Sequence, residues 1–138
     1  MKWVDTHCHL QLIDETLDSE NFHNIEFLII PGVDFESSLK AKEISSKIDL
    51  ESYWSAGLHP HDAKLLNSQE ESLTNLFQEA DLIGETGLDF YRNLSTKEEQ
   101  LENFLFHLEH SKQLDKPIII HCRDSFQDTY DQLVEFNN

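Results

Sequence analysis

The chain is poor in the residues that mark specialised architectures, and each shortage excludes something. Two cysteines in 138 residues cannot staple a disulfide scaffold, and that scarcity predicts an intracellular, cytoplasmic protein. No apolar run approaches the roughly 20 residues that cross a bilayer, so no membrane partner is expected. Met1-Lys2-Trp3 leads straight into an apolar strand, without the basic and apolar leader of an exported chain. Four glycines and three prolines leave no Gly/Ser linker, and no low-complexity tract or repeat interrupts the sequence. Cations are scarce as well: ten Lys and Arg stand against 27 Asp and Glu, a formal charge of −17 spread along the chain. Such a surface keeps a protein soluble and repels polyanions. Any nucleic-acid substrate would need bound metal to supply local positive charge.

What is present supports one folded domain over residues 1–138, with 38% hydrophobic residues, nine of them Phe. Apolar strands are expected at 4–10, 26–30, 53–58, 81–85 (very short) and 118–120, with loop or irregular helix over 12–24. Helices alternate with the strands. Asp34 is a plausible N-cap before the stripe Phe35, Leu39, Ile44 and Ile48. Ser68 and Glu71 read as a capping box before Leu73, Leu76, Phe77 and Ala80. The longest helix, about 96–114, is expected to bury Leu101, Phe104, Leu105 and Leu108. A last one would turn Phe126, Tyr130, Leu133 and Val134 inward. This alternation predicts an α/β fold with a parallel sheet. About five strand–helix units are present, whereas a closed barrel needs eight and roughly 250 residues.

The chemistry-bearing residues collect at strand ends. His7 and His9 follow the first strand, His59 and His61 the third, Glu85 the fourth and His121 the fifth. Active sites of parallel α/β folds are built on that rim. Two imidazoles two positions apart on one strand face would make half a metal site. A bare His-x-His also arises by chance, and only the rest of the chain decides. Glu85 leaves an apolar strand beside the imidazoles, where a carboxylate is costly unless paired or ligating. It can bridge two ions, or in the plainer reading pair with Arg92. Cys8 and Cys122 alternate onto the opposite face and read as packing residues. His23, His107 and His110 fall in loop or helix and read as solvated surface.

Four segments carry a family resemblance: Asp5-Thr6-His7-Cys8-His9-Leu10, Gly57-Leu58-His59-Pro60-His61-Asp62-Ala63, Ile83 to Arg92, and Lys116 to Asp124. In order and spacing they resemble the motifs of the TatD family, metal-dependent deoxyribonucleases with a TIM-barrel fold. The likeness runs from Val4 to about Val134. It implies that two divalent ions (Mg²⁺, Mn²⁺ or Zn²⁺) are bound, one by His7 and His9, the other by His121, with Glu85 bridging them as the catalytic carboxylate. It also implies that His61 faces the substrate phosphate, with Arg92 and Asp124 near the same rim. The implied substrate is DNA, as single strands or strand ends, hydrolysed by an activated water.

The family pattern continues through further strands that bring another ligating His and Asp, and nothing after His121 supplies them here. The chain is thus expected to be a truncated, partial (β/α)8 barrel of about five units. Two other functions stay open: a metal hydrolase acting on an ester or amide, and an inactive remnant or one half of a multi-chain assembly. Five parallel strands leave an open edge that self-association or a companion chain would cover.

Overall fold

The computed structural model describes residues 1–13 and 22–137. Five strands form one parallel sheet whose spatial order equals chain order: β1 (Trp3–Asp5), β2 (Ile25–Ile30), β3 (Ser52–Ala56), β4 (Leu82–Asp89) and β5 (Ile118–Arg123). Helices α1 (Phe35–Lys47), α2 (Leu66–Glu79), α3 (Lys97–Leu114) and α4 (Phe126–Asn137) follow β2 to β5 in turn. A curled half-barrel results, with every strand running the same way and every carboxyl end on one rim. The expected partial (β/α)8 architecture is therefore the observed one. The expected loop over 12–24 falls largely outside the described residues.

The main core joins β2, β3 and β4 to the inner faces of α1 and α2, around Leu28, Ile30, Trp54, Leu73, Leu76, Phe77 and Ile83. A second cluster, Leu88, Phe104 and Leu108, sits under α3. Caps fix the helix starts. Asp34 accepts the Ser37 N–H at 2.7 Å, and Thr96 forms a capping box with Glu99. At the far end of α2, Lys116 Nζ donates to the carbonyls of Phe77, Gln78 and Ala80 at 2.7, 2.9 and 2.6 Å.

Several expectations are corrected here. The first strand is three residues long and exposed rather than buried, because β1 is a sheet edge. The fourth is the longest strand rather than a very short one: Gly84 and Gly87, both at positive φ, carry the ladder on to Asp89. A Cβ on Gly87 would collide with the His121 carbonyl, so glycine is what lets β4 and β5 stay paired there. Ser68 is no cap: α2 begins at Leu66, fed by a 3₁₀ turn over Pro60–Leu65, and Ser68 Oγ donates to Leu65 O. On α1 the buried positions are Ser37, Ser38 and Ala41, and Leu39 faces outward. On α3 Leu105 is partly exposed, while Gln100, Asn103 and His107 are buried beside Phe104 and Leu108. Phe126, Tyr130 and Val134 of α4 are exposed rather than inward, since no further unit packs on that helix among the described residues.

Candidate metal centre

The order Glu85, Gly87, Asp89 along β4 sends two carboxylates toward the same end of the sheet, and both are buried. A buried carboxylate needs partners, and the rim supplies histidines. Glu85 Oε2 lies 3.2 Å from His7 Nε2 and 3.4 Å from His9 Nε2. Its Oε1 lies 3.2 Å from His121 Nδ1 and 3.9 Å from His59 Nε2. The two oxygens of one side chain thus face two separate histidine pairs. Asp89 Oδ2 lies 3.0 Å from His121 Nε2 and 2.8 Å from His61 Nε2. Its Oδ1 accepts the backbone N–H groups of Tyr91 and Arg92.

His7 and His9 reach this point from a turn rather than from a strand face. Asp5 Oδ1 accepts the His7 N–H, an Asx-type stop that ends β1, and the Cys8 N–H then bonds Ile29 O. The two Nε2 atoms still come within 3.1 Å of each other. Cys8 points the other way, its thiol donating to Ile29 O, and burial pushes that thiol up to about 11. It behaves as the packing residue expected.

Charge and hydrogen bonding reinforce one another. Burial pushes Glu85 upward, but hydrogen bonds from His121 and His9 and the nearby His59 and His7 outweigh it, holding the carboxyl well below the usual range. Burial likewise opposes ionisation of Asp89, and the Arg92 N–H with His61 and His121 overcomes it. The Glu85 hydrogen bond raises both His9 and His121. His59 goes the other way: burial, then the neighbouring His121, lowers it to about 4, so its ring is neutral at pH 7.

The donor set fits divalent metal. His7, His9 and Glu85 form one group and His59, Glu85 and His121 another, with donor atoms in each within 4.8 Å of one another. Imidazole and carboxylate suit Zn²⁺ and Mn²⁺ alike. Outer partners also orient the rings as ligands require. His9 Nδ1 donates to Pro31 O at 3.1 Å, so Nε2, the atom that bonds Glu85 here, is the one that would turn to an ion. His121 Nε2 bonds Asp89, which leaves Nδ1 inward. His59 differs. Its Nδ1 accepts the His61 N–H, which puts the proton of the neutral ring on Nε2, toward His121.

Of the residues singled out from sequence, His7, His9, Glu85 and His121 converge, and His61 joins them through Asp89. Arg92 and Asp124 stand exposed on the rim, outside this network of side chains. Glu85 pairs with histidines, not with Arg92. Two contributors were missed: Asp89, whose signal was its same-parity spacing from Glu85, and His107. The latter, with His110, was expected on the surface. His107 is fully buried and half-buried His110 packs on Phe77 and Phe106, while His23 is exposed as expected.

A parallel half-barrel with histidines and carboxylates gathered at its carboxyl rim defines the class: part of a TIM-barrel fold with a candidate metal centre on its rim. The chain belongs to the TatD related DNase family, whose model matches residues 4–138. It is 38% identical over 104 residues to the 3′-5′ ssDNA/RNA exonuclease TatD of Escherichia coli K12, covering 72% of this chain and 39% of that protein. It is 30% identical over 141 residues to the uncharacterized metal-dependent hydrolase YcfH of the same organism, covering 91% of this chain and 51% of that one. The crystal structure of a TatD family hydrolase from Entamoeba histolytica shares the fold, with a TM-score of 0.81 at 19% identity over 99% of this chain and 55% of that one. The chain thus spans 39% of the length of one of these curated relatives and 51% of the other. No helix among the described residues is long and apolar enough to cross a membrane.

Proposed function

We propose that this chain is the amino-terminal metal-binding portion of a hydrolase that cleaves phosphodiester bonds of single-stranded DNA or of strand ends. The observation that carries the reading is Glu85, whose two oxygens serve two histidine groups at once. In this reading His7, His9, His121 and Glu85 are the residues that would hold divalent metal. Such ions, when bound, lower the pKa of water and neutralise charge on phosphoryl oxygens.

The remaining work falls to the chain's own side chains. Asp89 anchors His61 and His121 from beneath, so both rings hold their orientation when substrate arrives. His61, whose Nε2 donates to Asp89 at 2.8 Å, stands beside this group and in this reading faces the substrate phosphate. Arg92 and Asp124 flank that approach, and the exposed Arg123, its guanidinium 4.0 Å over the Tyr91 ring, adds a cation close by. Glu85 stays ionised throughout the neutral range and keeps both histidine groups in place.

The open edges favour one addition to this reading. β1 and β5 have no outer partner among the described residues, and the exposed Phe126, Tyr130 and Val134 extend that uncovered face. Further barrel units, from a second copy or a companion chain, would cover them.

The test is cleavage of a 5′-labelled single-stranded oligonucleotide with added Mg²⁺, Mn²⁺ or Zn²⁺. Metal-dependent shortening should occur, and Glu85→Ala should reduce it at least about 100-fold. Turnover of p-nitrophenyl acetate with no turnover of bis(p-nitrophenyl) phosphate would favour the ester reading. Absence of any metal-dependent hydrolysis would overturn the proposal for the isolated chain.

A further inference from the structure

One face of α3 is polar where a core helix should be apolar. Gln100, Asn103 and His107, spaced to share that face, are each wholly buried. Among the described residues, the hydrogen-bond partners of the three lie in the segments that carry the site or in α3 and its entry. His107 Nδ1 donates to Asn103 O at 2.7 Å, which fixes Nε2 as an acceptor, and Nε2 takes the Leu58 N–H at 3.0 Å. Asn103 Nδ2 donates to Leu58 O at 2.7 Å and to Thr86 Oγ1 at 3.3 Å. Both backbone groups of the residue before His59 are therefore held by α3, as is the residue after Glu85. Gln100 does the same one strand further on. Its Oε1 accepts the Asp89 N–H at 2.7 Å, and its Nε2 donates to Asp89 O at 3.2 Å and Ser95 O at 3.0 Å.

These bonds begin where the β3–β4 ladder stops, at Ala56 with Ile83. Beyond that point the strand ends would otherwise splay, and α3 provides the donors and acceptors a neighbouring strand would have given. The network is not the cheapest way to fill the space: Asn103 Oδ1 is buried with no partner among the described residues. Leucines at these positions would pack without an orphan atom and leave Leu58 unheld.

We propose that Gln100, Asn103 and His107 are positioning residues that set the spacing between the His59–His61 segment and the Glu85–Asp89 segment, and so tune the affinity of the site for divalent metal. The inference rests on the metal reading above only for its affinity readout. Its geometric part stands on the contacts themselves.

The experiment compares the wild-type chain with His107→Leu, Asn103→Ala, His107→Gln and Leu73→Ala, the last a core truncation in α2 remote from the rim. Thermal unfolding, Mn²⁺ binding by calorimetry and the ring ¹H–¹⁵N resonances of His59 and His61 are measured for each. His107→Leu and Asn103→Ala should weaken Mn²⁺ binding about 10-fold or more, in line with loss of an outer-shell partner. They should also shift the His59 and His61 resonances. His107→Gln keeps an acceptor for the Leu58 N–H and should restore most of both. Leu73→Ala should lower the melting temperature while leaving affinity and resonances unchanged. If His107→Leu does not fold, Asn103→Ala and His107→Gln carry the comparison. Equal effects on Mn²⁺ affinity and resonances from Leu73→Ala and the α3 variants would overturn the proposal. If the wild-type chain binds no Mn²⁺, the metal reading fails, and the resonances alone decide the positioning role.

Discussion

At the scale of single residues, burial separates histidines that look alike in the sequence. His107 is enclosed by Phe77 and Phe106 and lowered by that burial to about 4 from an ordinary 6.5. Between those values the unfolded chain takes up a proton that the folded chain refuses, so folding stability rises with pH across the window. The His107 contribution is complete above pH 6.5, shrinks as pH falls, and is gone below about 4; its size is roughly 3 kcal/mol. His107→Gln, which cannot titrate, should lack this component. Urea midpoints of the two proteins should diverge above pH 6 and converge toward pH 4. The strand-end histidines and Glu85 were legible because motif order and strand-end position both pointed at them. His107 was not, because a histidine on a helix gives no sign of which way the helix faces. Asp89 sat in plain view at even spacing from Glu85, yet only the paired rings of His61 and His121 reveal its purpose.

At the scale of elements, the start of α1 was legible in Asp34, whereas the expected Ser68 cap of α2 is not one. Thr96 caps α3 through its box with Glu99, and replacing Thr96 with Ala should cost about 1 kcal/mol in chemical denaturation. The stop of α2 was hidden, because its cap comes from far along the chain. Lys116 brings one ammonium to three carbonyls at the negative end of that helix. Lys116→Met, which keeps the stem and removes the charge, should lower stability by about 1–2 kcal/mol, read as a fall in melting temperature. The inward face of α3 was misjudged for a physical reason. Apolar periodicity found Phe104 and Leu108, with Leu101 packed beside them, and wrongly added Leu105, but it gave no sign that the helix also turns Gln100, Asn103 and His107 inward to satisfy strand-end backbone. A hydrophobic pattern cannot announce a face whose task is hydrogen bonding. The length of β4 was underestimated because glycine ordinarily ends strands, and here Gly84 and Gly87 let the backbones meet closely.

For the whole molecule, the α/β class and its parallel order followed from the alternation of strand and helix, while the packing of α4 did not. The sequence marks Phe126, Tyr130 and Val134 as a buried stripe, and they stand exposed together on α4. Sedimentation at rising concentration should therefore show self-association, and Phe126→Asp with Tyr130→Asp should leave a monomer without lowering the melting temperature. Charge sets a second whole-molecule expectation. With 27 acidic residues against ten basic ones, the surface repels an oligonucleotide, and salt screens that repulsion. Raising NaCl from about 20 to 150 mM should leave KM for a short single strand unchanged or lower it. A protein that binds through a basic groove shows the opposite trend.

Sheet order equal to chain order has a consequence in time. As the chain is synthesised, each strand emerges beside a partner already in place, so the half-barrel can grow by simple addition from β1 onward. The rim is assembled in the same sequence. Glu85 meets His7 and His9 first and waits for His121, which lies 36 residues later. At about 5–20 residues per second that wait lasts roughly 2–7 s. The nascent chain thus passes through a stage at which the first histidine pair is complete and the second has yet to leave the ribosome. An ion captured at that stage would be held by His7, His9 and Glu85 alone.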